Sequence, residues 1–389
     1  MSKKHQIIWS TLRPLVGVFL RLKFGYTYEM AHKKYTLPEN YIVLSNHTTD
    51  YDPLLVGVSF KKQMYFVASE HITRWKRAYP LIKFALEPIV RKKGMNAAHA
   101  IIDIMRKLRH GDSVAMFAEG VRTWDGVTSE IAPTTGQMVK RAGCGLVTYK
   151  VVGGYFLSPG WSNGTRRGSS NGAVVGVYTK EQLEGMSVDE INAVIARDLH
   201  EDAYERQLAE PKRYRGRRLA EKIENLLFIC PECGAVESIA SSKNEAVCQK
   251  CQMKLVFDEY GMIAGCRYKT VYELAKWQRG EVLAAAERGD SYTMESAVLS
   301  VIADGKAEME YEGRAVLSPD GLSIGERNFP IESINDMAFH GRRVVVFSSG
   351  KEYFELRPDD GINAIKFPML FGSLKKQSEK NAIITAKEG

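Results

Sequence analysis

Two short segments hold side chains able to move a proton or grip a phosphate. In Asn46-His47-Thr48-Thr49-Asp50-Tyr51-Asp52, an imidazole and a carboxylate stand with four residues between them. A neutral imidazole takes a proton from an alcohol at physiological pH. A carboxylate on its other ring nitrogen fixes the tautomer and stabilises the imidazolium that forms. His47 with Asp52 offers that pair without a serine nucleophile, so the alcohol would be the substrate's own; a capped turn after a strand is the alternative. The second segment is Phe117-Ala118-Glu119-Gly120-Val121-Arg122-Thr123. Arg122 presents a planar fork for phosphate, and Gly120 lets backbone N–H groups approach. Glu119 would orient Arg122 or bind a polar headgroup; an exposed ion pair is the alternative.

A third group is metallic in character. Cys230-Pro231-Glu232-Cys233 and Cys248-Gln249-Lys250-Cys251 form C-x2-C-x14-C-x2-C, with Cys144 and Cys266 standing apart. Two such pairs place four thiolates around Zn²⁺, and a site filled by four protein ligands is structural. So few cysteines in 389 residues do not make a disulfide scaffold. The zinc would hold together a piece too small to bury a core of its own.

The elements that position these groups alternate between strand and helix. Tyr41–Ser45 is an apolar run that ends on Asn46-His47, and Ser113–Phe117 is another that ends one residue short of Glu119. Between them, Ala97, Ile101, Ile104, Met105 and Leu108 line one face of a helix over 97–109, with Gly111 at its stop. Strands alternating with helices imply an α/β core, and sites in such sheets form beyond the carboxyl ends of strands. Further strands are expected at 145–152 and 173–178, and Ser187 with Glu190 has capping-box spacing before a helix. The Gly-, aromatic- and Arg-rich segment from Gly153 to Gly168 reads either as a loop at a lipid interface or over a thioester, or as an ordinary basic loop. The charged stretch Glu205–Arg218 reads as a connection. From about 291 the chain turns strand-rich, with turns at Asp304-Gly305, Asp320-Gly321 and Ser349-Gly350 and a helical end near 360–375.

Charge divides the chain. Residues 1–229 hold 34 Lys and Arg against 22 Asp and Glu, while residues 230–389 hold 20 against 24. The basic half is the one to match with an anionic surface; the acidic half disfavours nucleic acid. No stretch approaches the roughly 18–20 apolar residues of a spanning helix. Residues 6–26 instead pattern as an amphipathic helix, with Trp9 and Phe19 at a membrane boundary and Arg13 and Arg21 among headgroups.

Together the first two segments resemble the glycerolipid acyltransferase family, whose signature is N-H-x-x-x-x-D followed by F-P-E-G-T-R-S. An intermediate apolar run ending in arginine looks like Pro88-Ile89-Val90-Arg91. The resemblance covers residues 40–210. It implies a glycerolipid-acyltransferase-type α/β sheet flanked by helices. It further implies transfer of a fatty acyl group from acyl-CoA or acyl-carrier protein to the free hydroxyl of 1-acyl-glycerol-3-phosphate. His47 would be the base and Asp52 its partner; Arg91, Glu119, Gly120 and Arg122 would bind the acceptor's phosphate end. The pattern departs at Ala118 and Val121, and Thr148 stands where a later strand carries proline. These departures keep open another lysophospholipid or glycolipid acceptor, or an inactive scaffold.

The expected plan is an interface helix over 1–28, an acyltransferase domain over 29–227, a zinc ribbon over 228–257, a helical connection over 258–290 and a β-rich tail over 291–389. The tail reads as a small pleckstrin-homology-like barrel or as an α+β appendage. The expected location is the cytoplasmic face of a membrane, bound peripherally through the first helix. The C-terminal half is the place for a protein partner.

Overall fold

The computed structural model describes residues 3–74, 79–91, 98–303, 306–341, 343–359 and 362–388. Ala97 and the Asp304-Gly305 turn lie outside the described residues.

Seven strands build the first sheet: β1 (Tyr26–Tyr28), β2 (Tyr41–Ser45), β3 (Tyr65–Ser69), β4 (Ile89–Arg91), β5 (Val114–Phe117), β6 (Gly145–Val152) and β7 (Ser170–Tyr178), in the order β1-β7-β6-β2-β5-β3-β4. The β6, β2, β5, β3 and β4 strands run parallel, and β7 is antiparallel to β6. Every residue of β2 is buried, because both faces of the sheet are covered. Alternate side chains feed the two layers. Ile42 and Leu44 join Ile104, Leu108, Ile191, Ile195 and Leu199 on one side. Tyr41 and Val43 join Leu20, Phe24 and Leu55 on the other. The helix Val188–Leu199 begins as its capping box requires: Glu190 N–H donates to Ser187 at 3.2 Å, and Ser187 N–H donates to Glu190 at 2.7 Å.

The first helix spans Lys3–Phe24 and is amphipathic, but its buried stripe faces its own domain. Trp9 is not at a boundary: it is buried against Gly57, and its indole N–H donates to Phe60 O at 3.2 Å. Leu20 and Phe24 are buried with it, while Ile7, Leu15, Val18, Phe19 and Leu22 stay exposed. Residues 26–28 are not part of this helix; they are β1, the edge of the sheet. Among the described residues no helix is long and apolar enough to cross a membrane.

A second sheet, β8 (Ile239–Ser242), β9 (Glu245–Cys248), β10 (Lys254–Phe257) and β11 (Ile263–Ala264), carries two of the four clustered cysteines' flanks. It runs past residue 257, where a helical connection was expected, because β11 pairs with β10 before the helix Val271–Glu287 begins. The apolar residues of this unit enter a shared core. Ile239, Leu255 and Phe257 belong to the same apolar cluster as Tyr155, Phe156 and Trp161 of the first domain.

The third sheet is an antiparallel series: β12 (Tyr292–Ala303), β13 (Lys306–Ser318), β14 (Gly321–Ile324), β15 (Arg327–Pro330), β16 (Ile334–His340), β17 (Val344–Ser349) and β18 (Glu352–Pro358). Its order is β15-β14-β13-β12-β18-β17-β16, so the long β12 joins two meanders. The helix Lys366–Glu388 sends Phe367, Leu370, Phe371 and Leu374 into its core.

Candidate active site

Because β2, β3, β4, β5 and β6 are parallel, their carboxyl ends share one edge of the sheet, the edge where such sheets place their sites. There β2 delivers Asn46-His47, β5 delivers Ala118-Glu119, and β4 ends on Arg91. Each of these residues was a sequence-derived candidate, or neighbours one.

His47 and Asp52 meet. The His47 Nδ1 lies 2.8 Å from Asp52 Oδ2. Asp52 opens the helix Asp52–Gly57 and is fully buried. Its carboxylate also accepts from Thr48 N–H at 2.5 Å, Thr49 N–H at 2.9 Å and the Thr48 hydroxyl at 3.0 Å. All three groups are donors, so the carboxylate is held as an acceptor and its ring partner carries the proton on Nδ1. That leaves Nε2 with the lone pair, the form a general base needs. The His47 ring stacks on Phe117 with centroids 4.3 Å apart, which limits its rotation. Asn46 fastens the loop from behind: its amide and the backbone of Val151 exchange two hydrogen bonds of 2.8 Å.

Glu119 does something the sequence reading did not assign. Its two oxygens accept from His47 N–H at 2.6 Å and from Ser129 N–H at 2.7 Å. It neither orients Arg122 nor points its carboxylate at open space. Burial pushes its pKa up to about 7, against the pull of those two N–H donors, and the nearby Asp52 charge adds to the rise. Behind it lies a cavity of about 10 Å³, room for a single water, lined by Asn46, Thr48, Glu119, Thr128 and Glu201.

The two arginines differ in state. Arg122 is forked between Asp50 Oδ2 at 3.0 Å and the Gly160 carbonyl at 3.1 Å. Arg91 keeps a buried Nε with no hydrogen-bond partner. Gly120 has φ of +71°, and a Cβ there would sit 3.5 Å from an Arg91 guanidinium nitrogen. The left-handed φ is what calls for glycine in this turn, since a Cβ at 3.5 Å would only touch Arg91.

Residues 29–152 match the family model described as Acyltransferase. This stretch is an acyltransferase domain.

Among solved structures the chain is similar to the 1-acyl-sn-glycerophosphate (LPA) acyltransferase PlsC from Thermotoga maritima. That likeness has 17% identity and a TM-score of 0.42, and covers 54% of this chain and 79% of that one. None of the curated proteins matches the chain significantly.

Several sequence signals around the acyltransferase domain prove architectural. Tyr155, Phe156, Leu157 and Trp161 are buried in the core, so the segment from Gly153 is no interface loop. Arg166 is buried too, with its guanidinium donating to Leu219 O at 2.7 Å. Thr148, at the position of the pattern's proline, donates to Asp198 at 2.8 Å, a bond between β6 and the helix behind it. Asn46, Asp50, Ser129 and Phe117 complete the site and were missed. Asn46, Asp50 and Phe117 lay inside the two recognised motifs without a role assigned to them; the Ser129 N–H has no side-chain signature at all.

The four clustered cysteines converge away from this edge. All four Sγ atoms lie within 4.8 Å of one another, with Cys230–Cys251 at 3.7 Å and Cys233–Cys248 at 3.8 Å. A tetrahedron with Zn–S bonds of about 2.3 Å has edges of about 3.8 Å. A disulfide would need about 2.05 Å. The sulfurs are thus spaced for a metal ion, and the four ligands would leave no place on it for substrate.

Proposed function

We propose that this protein is an O-acyltransferase that moves a fatty acyl group from an acyl thioester, acyl-CoA or acyl-carrier protein, to the free hydroxyl of 1-acyl-glycerol-3-phosphate. The observation that carries the reading is the His47–Asp52 pair, with Nδ1 tied at 2.8 Å and two arginines at the same sheet edge. His47 Nε2 takes the proton as the acceptor oxygen attacks the thioester carbonyl. The tetrahedral intermediate then collapses, the C–S bond breaks, and the thiolate leaves with that proton. A thiolate is a good enough leaving group that no covalent enzyme intermediate is needed. Arg91 and Arg122 would hold the acceptor's phosphate. Glu119 acts as a positioning residue, tying the His47 backbone to the loop at Ser129.

The exposed face of the first helix supports binding at an anionic membrane surface, the place of a lysophospholipid acceptor. Its apolar Ile7, Leu15, Val18 and Leu22 stand beside basic Arg21. The helix lies against the domain rather than across a bilayer. The β-rich tail fits the pleckstrin-homology-like reading in its strand count and closing helix.

The test is acyl transfer from palmitoyl-CoA and from a palmitoyl carrier protein to a panel of lysophospholipids. His47→Ala should lower turnover at least about 100-fold, the usual contribution of a general base, with thermal unfolding unchanged. Undiminished turnover in that variant would remove the reading.

A further inference from the structure

We propose that the C-terminal barrel forms the outer wall of the acyl-acceptor site and that Phe339 and Tyr353 select the acceptor, an inference that rests on the acyltransferase reading above. The barrel touches the sheet at the edge where the site is built. The Tyr353 hydroxyl donates to Glu70 at 2.9 Å, and Glu70 directly follows β3. The Phe339 ring meets Trp124 edge-on, with centroids 5.2 Å apart. Trp124 follows Thr123, whose N–H donates to the His47 carbonyl at 2.8 Å, and stands two residues from Arg122. The two contacts thus fall just past the carboxyl ends of β3 and β5, on either side of the catalytic loop's neighbours.

Burial within the barrel points the same way. Along β17 and β18, Val345, Phe347, Phe354 and Leu356 face the barrel's own core. Val346, Ser348, Tyr353 and Glu355 alternate with them and so face outward. On an isolated barrel these four would meet solvent; here they are 0%, 6%, 5% and 1% exposed. That face is therefore held against the rest of the chain, with the Tyr353–Glu70 bond as one of its ties, and this fixes where the neighbouring strand that carries Phe339 stands. A rigid strand carrying a phenyl ring beside the Arg122 loop limits what can extend from the acceptor's phosphate. On this proposal a phosphate monoester is accepted, while a phosphodiester carrying choline or glycerol would extend toward the Phe339 ring.

Two measurements on the full chain test this. The first is hydrogen exchange with lysophosphatidate below its micelle concentration. Slowed exchange at 117–124 together with 334–340 and 352–358 is expected. The second is kcat/KM for lysophosphatidate against lysophosphatidylcholine in Phe339→Ala and Tyr353→Phe. Opening the wall in Phe339→Ala should shift the ratio about tenfold toward the larger headgroup, as a changed pocket contact does. Protection confined to 117–124, or a ratio within about twofold of wild type, overturns the barrel's role while leaving the function intact. Lack of protection at 117–124 with any acceptor overturns the acyltransferase reading and the wall with it.

Discussion

Glu119 stands between two opposed demands. Two N–H groups favour its carboxylate, while burial favours the acid, and burial prevails with a pKa of about 7 against an ordinary 4.5. Because the folded pKa is the higher, the fold binds this proton more tightly than the unfolded chain does. The resulting stabilisation is complete below pH 4.5 and is lost as pH rises through 7, and it is on the order of 3 kcal/mol. Glu119→Gln has no such proton to lose. The wild-type unfolding midpoint should therefore fall relative to that of Glu119→Gln from pH 5 to pH 8; parallel profiles would contradict the assignment. A neighbouring carboxylate acts on the substrate side. Asp50, largely exposed, occupies one arm of Arg122, and a phosphate held by Arg122 as proposed would have to displace it. Asp50→Asn should lower the acceptor KM several-fold, and an unchanged or higher KM would show that Arg122 does not meet the phosphate.

At the scale of elements, the sequence was readable where one periodicity fixed one environment. The run Tyr41–Ser45 could only be a strand buried on both faces, and the Ser187–Glu190 spacing could only open a helix. The His47–Asp52 pair was readable because both partners lie on one short loop, where spacing almost sets distance. Legibility failed where a side chain answers to a distant part of the chain. Trp9 has the composition of a boundary residue, yet its N–H finds Phe60, 51 positions away. Glu119 finds backbone N–H groups that no residue type announces. Arg166 sits in a basic run and is nonetheless a core residue, because the Leu219 carbonyl and the Trp161 ring receive it. The first helix makes the remaining half of this point testable. Its buried stripe is committed to the domain, so the membrane affinity proposed for it would come from the other stripe. Leu15→Glu and Leu22→Glu, both at well-exposed positions, should weaken sedimentation with anionic vesicles about tenfold or more with no loss of thermal stability. Equal sedimentation would remove this helix from the membrane reading.

At the scale of the molecule, the cysteine cluster is a joint rather than an appendage. On one side, Cys230 and Cys248 belong to the apolar cluster that contains Tyr155 and Trp161 of the acyltransferase domain. On the other, Glu237, four residues past Cys233, accepts from Asn363 N–H at 2.8 Å and pairs with Lys366 at 2.7 Å. Lys366 is buried and also donates to Thr293 O, so the last helix is pinned to the ribbon and to β12 at once. Gln278 adds a third tie, accepting from Phe228 and Ile229 and donating to Leu226. A metal held by these thiolates would stabilise both neighbouring cores, since its binding energy is folding energy for every element its ligands fix. Stripping zinc from the full chain with a strong chelator should therefore lower the unfolding midpoint and abolish acyl transfer together, although no cysteine touches the site. Glu237→Gln should reproduce part of the loss, up to about 3 kcal/mol, by leaving the buried Lys366 charge uncompensated. A chelated protein that kept full acyl transfer would mean that the ribbon only hangs from the catalytic domain, and the shared apolar cluster would then contribute little to holding the His47 edge in place.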